Sequence, residues 1–340
     1  MGEVSNPQSD VRVKGDRLDE LDRLSIDSVI QLKSAENLPW SQSMSTSLND
    51  ANAVMSVPLT RSRPHQLPLE PVTKIRPSRF WEKIDFAELW IQREVLYFLM
   101  WRDLKVRYKQ TIIGAAWVIV QPILITMVFA VFLGKLIRIP SDGVPYPIFA
   151  YTALLLWTFV SNAILSSTYS LVTNAQIITR VYFSRVLIPA AAVGVRLVDL
   201  LVASLVLIAL MIYFHVSMTW NMLMFPVFLA QLTALALAVG VLCAALNVRY
   251  RDVGTMLPIL LQVWMFASPI VYSSSLIPER LRTLYSLNPL VGITEGARAS
   301  LFNLTFPWPS ILISAIVTFP LLAFSLHVFR RMESSFADDV

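Results

Sequence analysis

The chain is poor in the residues that build chemistry. Among its 340 residues there is one cysteine, Cys243, placed inside an apolar run, so no intrachain disulfide can form. The three histidines, His65, His215 and His327, stand far apart and no metal-ligand spacing occurs, so neither a metal nor a cofactor is expected. Charge is scarce. Only 15% of residues are Asp, Glu, Lys or Arg, and the formal net charge of +5 is too small for a nucleic-acid footprint. No Gly-x-x-x-x-Gly-Lys-Ser/Thr loop is present; the single Gly-Lys pair, Gly134-Lys135, is followed by Leu136 at the end of an apolar run. No internal repeat and no acid, base or histidine cluster at an apolar run is visible, which argues against a secondary transporter and against a membrane-embedded glycosyl- or acyltransferase. The first twenty residues lack an apolar stretch, so no cleaved signal peptide is expected.

What the chain has is hydrophobicity, at 55% of residues and a mean hydropathy of +0.59, the composition of a membrane protein. Uncharged runs cover Gln110–Gly134, Gly143–Thr179, Leu200–Val248, Val253–Pro278 and Ala299–Phe329. A helix rises about 1.5 Å per residue, so roughly 20 apolar residues cross a hydrocarbon core of about 30 Å. The run Leu200–Val248 is too long for one span and breaks between His215 and Pro226. The expectation is an all-α membrane protein with six spans near 111–136, 147–168, 187–213, 225–246, 256–273 and 309–330. With both termini cytoplasmic, eleven cations fall on the inner side and five on the outer, the bias of a cytoplasmic-membrane protein. The cations beside apolar runs also suit anionic lipid headgroups.

Ahead of the spans, residues 1–79 are rich in serine, proline and alternating charge and read as a disordered cytoplasmic extension. Leu18, Leu21, Leu24 and Val29 offer at most one short amphipathic helix there. Ser78 is placed to cap a following helix. Phe80, Ile84, Ala87, Ile91, Val95 and Phe98 recur at helical steps, and Trp81, Trp90, Tyr97 and Trp101 are interfacial aromatics. Residues 80–109 are therefore expected to be an amphipathic interfacial helix with a basic flank, Arg102, Lys105, Arg107 and Lys109. Residues 110–331 form the six-span domain and 332–340 a cytoplasmic tail. Between spans five and six, the segment from Tyr272 to Trp308 is too apolar for a solvated loop. Pro278, Pro289, Gly292 and Gly296 punctuate it, which predicts a re-entrant or interfacial helical hairpin broken at Asn288-Pro289.

The string Arg102-Asp103-Leu104-Lys105-Val106-Arg107-Tyr108-Lys109 with Gly114, Trp117 and Pro122, the stretch from Asn174 through Arg185 to Pro189, the segment Asn247–Val253, and Pro269, Tyr272 and Asn288-Pro289 occur in series. Together they resemble ABC-2 type permeases, the membrane subunits of O-antigen, capsule and teichoic-acid exporters. The resemblance covers roughly 85–305. It implies a homodimer with two copies of a nucleotide-binding ATPase subunit, exporting a lipid-linked polysaccharide on ATP hydrolysed by that partner, so the chain itself is not an enzyme. Export of a drug or lipid is the alternative; Arg107-Tyr108-Lys109-Gln110 and the Asn288-Pro289 hairpin fit the polysaccharide branch. In the family the loop between spans two and three couples to the ATPase, and Asn174, Gln176, Arg180 and Arg185 are its counterparts. Arg249, Arg251 and Asp252 form the second cytoplasmic loop, and the surface helix ending at Trp101 corresponds to a gate helix.

Two further groups of residues stand out. Arg196 and Asp199 lie inside the third span at i and i+3, where an intramembrane ion pair facing the bundle is expected. Aromatic rings can stack on the C–H faces of sugars while tolerating sliding. Since spans one and five line the conduit in the family, Trp117, Phe129 and Phe132 on the first and Trp264, Phe266 and Tyr272 on the fifth are the conduit candidates. Topology setting by the loop arginines, and lipid anchoring or packing by the rings, are the plainer alternatives.

Overall fold

The computed structural model describes residues 92–109, 116–180, 183–333 and 336. The extension, its leucine pattern, the Ser78 cap and the stripe from Phe80 to Ile91 lie outside the described residues. Within them every regular element is helical. In chain order these are α1 (Arg93–Lys109), α2 (Ala116–Phe129, continued by a π-helical stretch Ala130–Ile137), α3 (Tyr146–Thr173), the short α4 (Ala175–Arg180), α5 (Leu187–Tyr213), α6 (Phe225–Arg249, led in by a 3-10 turn Trp220–Met224), α7 (Asp252–Phe266), α8 (Glu279–Ser286), α9 (Pro289–Phe302) and α10 (Trp308–Glu333).

Five of these are long and apolar enough to cross a membrane: Ala116–Ile137, Tyr146–Thr173, Leu187–Tyr213, Trp220–Arg249 and Trp308–Glu333. α3 is the axis of the fold. It packs on α5 and α6 and also touches α2, α7 and α9. Accordingly it is buried nearly all round, from Ile148 to Val160 with Ala163 and Ile164, as a helix apolar on every face must be. α6 packs on α10 and α9. The α9–α10 contact is so close that a Cβ added at Gly292 would lie 2.2 Å from the Ser310 carbonyl oxygen, so only glycine fits there.

Three departures from the sequence reading have local causes. α7 is a 15-residue helix, about 22 Å long at 1.5 Å per residue, and ends at Phe266 where continuation to 273 was expected. The chain beyond it unwinds through Ala267–Ser273, with Pro269 unable to donate to a helical ladder. The buried side of α1 runs through Leu99, with Val95, Leu96 and Met100 half-buried, while Phe98, expected on the stripe, is 65% exposed. The basic flank is not a tail after this helix but its last two turns, since α1 continues to Lys109.

Candidate functional site

α1 lies alongside α5. A Cβ at Gly194 of α5 would meet the Met100 sulfur at 2.7 Å, so the two helices touch almost backbone to side chain. At one end of this contact Arg107 Nη1 donates to Asp199 Oδ2 at 2.7 Å, and the Tyr108 hydroxyl donates to Asp199 Oδ1 at 2.8 Å. Arg196 reaches the same carboxylate at only 3.4 Å and donates from Nε to Ser166 Oγ on α3 at 2.8 Å. Arg196 and Asp199 thus meet as the weaker arm of a five-residue network that takes in Arg107, Tyr108 and Ser166. Burial, reinforced by the hydrogen bond to Asp199, pushes the Tyr108 hydroxyl up to about 12, so it stays a donor.

The loop after α3 is tied to the same helix. Arg102 Nη2 donates to Asn174 Oδ1 at 2.6 Å while Asn174 Nδ2 caps the Ser170 carbonyl at 2.8 Å. The Ser184 N–H donates to Gln92 Oε1 at 3.1 Å. Arg185 is bound to the end of α10: its backbone N–H donates to Glu333 Oε1 at 3.0 Å and its guanidinium to the Glu333 carbonyl. Gln176 is exposed on α4 and Arg180 closes that helix, its side chain outside the described set. Arg249, Arg251 and Asp252 are exposed, with the Arg249 guanidinium 5.7 Å from the Tyr250 ring centre. Beneath them Asn247 clamps the turn, accepting from the Gly254 N–H at 2.9 Å and donating to the Thr168 carbonyl at 3.2 Å.

At the other end of the bundle the unwound stretch after α7 is held by an arginine of α9. Arg298 on α9 is 3% exposed. Its Nη1 donates to the Pro269 carbonyl at 2.8 Å, and its Nη2 to the Ile270 carbonyl at 2.8 Å and the Phe149 carbonyl at 3.3 Å. Its plane also lies 3.5 Å over the Phe149 ring. A guanidinium can serve several carbonyls from one fork, which is what a helix broken in apolar surroundings needs. The break between α8 and α9 falls at Asn288, whose Oδ1 accepts from Trp264 Nε1 at 3.0 Å and from the Leu290 N–H at 3.1 Å. Its Nδ2 donates to the Ala267 carbonyl at 3.0 Å and Ser268 Oγ at 2.8 Å.

The conduit candidates fall into two groups. On the fifth-span side, Trp264 packs edge-on to Trp157 with centroids 6.2 Å apart. The Tyr272 hydroxyl donates to the Phe266 carbonyl at 2.9 Å and accepts from Tyr285 at 3.0 Å; the Phe266 ring is exposed. On α2, Trp117 and Phe132 are exposed and Phe129 packs on the core. α2 leans on α3 and α5, whereas α7 leans on α3 and α6, and Phe129, Trp264 and Tyr272 border one core cluster.

Long apolar helices, with a charged loop region tied to a peripheral helix, define a multi-pass membrane subunit. The ABC-2 type transporter profile matches residues 94–302, and the chain belongs to that family; it is a permease subunit whose partner is a nucleotide-binding ATPase subunit. The chain is 27% identical over 249 residues to the O-antigen export system permease protein RfbA of Klebsiella pneumoniae, covering 72% of this chain and 94% of that protein. It is 27% identical over 257 residues to the RfbA of Myxococcus xanthus, covering 74% and 98%. It is 24% identical over 267 residues to the capsule polysaccharide export inner-membrane protein CtrC of Neisseria meningitidis serogroup B, covering 72% and 92%.

Proposed function

We propose that the chain is the permease of an exporter that moves a lipid-linked polysaccharide outward across the inner membrane. The observation that carries this reading is the match to O-antigen and capsule export permeases along 92% to 98% of their own length. The working unit is a homodimer with two ATPase subunits docked on its cytoplasmic side. Six spans cross the membrane, the fifth formed by α7 and the unwound stretch that Arg298 supports. α8 and α9 form the re-entrant or interfacial hairpin between spans five and six. Both termini are cytoplasmic, residues 1–79 are an extension outside the six-span domain, and α1 lies at the cytoplasmic interface as the gate helix.

In this reading Asn174, Gln176, Arg180 and Arg185 form the ATPase-coupling loop, and Arg249, Arg251 and Asp252 line the neighbouring cytoplasmic loop. The contacts of Asn174 with Arg102 and of Ser184 with Gln92 support a role for α1 in that coupling, because a displaced loop would pull on the helix at its start and near its middle. Trp117, Phe129, Phe132, Trp264, Phe266 and Tyr272 face the glycan, the two groups meeting across the homodimer. The test is reconstitution: the purified chain is expected to show no ATP turnover alone and to move a lipid-linked glycan across proteoliposomes only with its ATPase partner. Glycan display that persists at full level in cells depleted of this chain would refute the reading.

A further inference from the structure

The turn that opens α5 has no capping side chain of its own: Val186, at the N-cap, makes no side-chain hydrogen bond. Two distant residues supply what is missing. The Ser184 N–H donates to Gln92, just ahead of α1, at 3.1 Å, and the Arg185 N–H donates to Oε1 of Glu333, the last residue of α10, at 3.0 Å. The second bond is returned, since the Arg185 guanidinium donates to the Glu333 carbonyl. Helices leave amides unpaired at their start and carbonyls unpaired at their finish, and the partial charges there favour a carboxylate at the first and a cation at the second. Glu333 and Arg185 therefore cap each other's helices across 148 positions of sequence. Apolar packing holds the joint in place. Phe336 is fully buried and meets Phe329 edge-on with ring centres 5.1 Å apart. Both belong to one buried cluster with Leu99 of α1, Ile178 of α4, Leu187 of α5 and Val248 of α6.

A loop bonded to a helix end in both directions cannot shift without moving that helix or breaking the bonds. α10 packs on α6 and, at its far end, on α9, where Ser310 lies against Gly292 closely enough to exclude a Cβ. A displacement at Arg185 thus has a contiguous packed route along α10 to the helix that carries Arg298. We infer that Glu333 is a positioning residue for transport, joining the loop 174–185 to the last span so that movement of the loop reaches α10 as well as α1. The inference rests on the reading of that loop as the ATPase-coupling loop and adds a second recipient of its movement.

Amide hydrogen exchange on the purified full-length chain tests the joint by itself. Glu333→Ala is expected to speed exchange several-fold in peptides covering 183–188, and Glu333→Gln, whose amide oxygen still accepts, is expected to restore most of the protection. Glu333→Asp, one methylene shorter, takes the place of the Ala variant should that variant not accumulate. With the ATPase partner in proteoliposomes, the readout is the fluorescent lipid-linked oligosaccharide moved per ATP hydrolysed, a ratio that loss of folded complex does not change. It is expected to fall several-fold in Glu333→Ala and to recover in Glu333→Gln. Unchanged exchange at 183–188, an unchanged transport ratio, or a Gln variant as impaired as the Ala variant would overturn the inference alone. A wild-type complex that moves no glycan on ATP would overturn export itself, and the inference with it.

Discussion

Arg107 and Asp199, 92 positions apart in sequence, form a 2.7 Å ion pair that fastens α1 to α5. Tyr108 occupies the second carboxylate oxygen, so the last turn of α1 is fixed by two adjacent residues converging on one acceptor. The same helix is tied to the loop after α3 through Arg102 and Gln92. α1 is thereby fastened at three places along its length, to one span and to one loop.

Removing Asp199 takes an acceptor from Arg107, Arg196 and Tyr108 at once, whereas removing Arg196 leaves Asp199 with both α1 donors. Asp199→Ala is therefore expected to cost about 1–3 kcal/mol, Arg107→Gln less, and Arg196→Gln least at the Asp199 contact, given its 3.4 Å separation. Thermal melts of the purified variants in detergent give the order. An Arg196 variant as damaged as the Asp199 variant would show that the bond to Ser166, not the carboxylate, is what Arg196 contributes.

Arg298 serves the Pro269 and Ile270 carbonyls of the unwound stretch, which have left the helical ladder. Arg298→Met is expected to leave acceptors unpaired at about 1–3 kcal/mol each and to prevent accumulation of folded protein. Arg298→Lys, with three donors but no planar fork, is expected to be intermediate. Protein level and melting temperature check this; a Met variant with wild-type stability would mean that water takes over the carbonyls and the site is wetter than its 3% exposure indicates.

The aromatic conduit is best tested at Trp117, which is exposed on α2. If stacking on sugar matters, Trp117→Phe keeps most export and Trp117→Leu impairs it at equal expression. If the ring is only apolar volume, Phe and Leu behave alike. At Trp264 the comparison is confounded, because either replacement removes the N–H that donates to Asn288. Tyr272→Phe likewise deletes the hydroxyl that bonds the Phe266 carbonyl and Tyr285. A stability loss at these two positions with unchanged export per folded molecule would identify them as hairpin braces.

Orientation follows from labelling. Single cysteines at Ser184 and Asp252, in a Cys243→Ser background, are expected to resist an impermeant thiol reagent in intact cells, while cysteines at Ser141 and Ser274 react. The reverse pattern would invert the proposed topology.

Much of this molecule is written locally. Long uncharged runs require helices because buried backbone groups must be satisfied within the segment, and the third, fourth and sixth expected spans coincide with α5, α6 and α10 to within a few residues. Asn288 and Pro289 mark the hairpin break because an Asn cap followed by proline starts a helix. The sequence by itself therefore determined where most of the apolar helices lie and that a helix starts at Pro289. Tertiary structure alone decided which charges are solvated. Arg298 looks like a loop cation until Pro269, Ile270 and Phe149, 28 to 149 positions away, are brought around it. Asp199 looks like the partner of its neighbour Arg196 until α1 delivers Arg107 and Tyr108. Hydropathy and helical spacing report only on residues within a turn or two of one another, whereas these partners are chosen by the packing of helices distant in the chain, and a charge in apolar surroundings goes to whichever acceptor that packing presents.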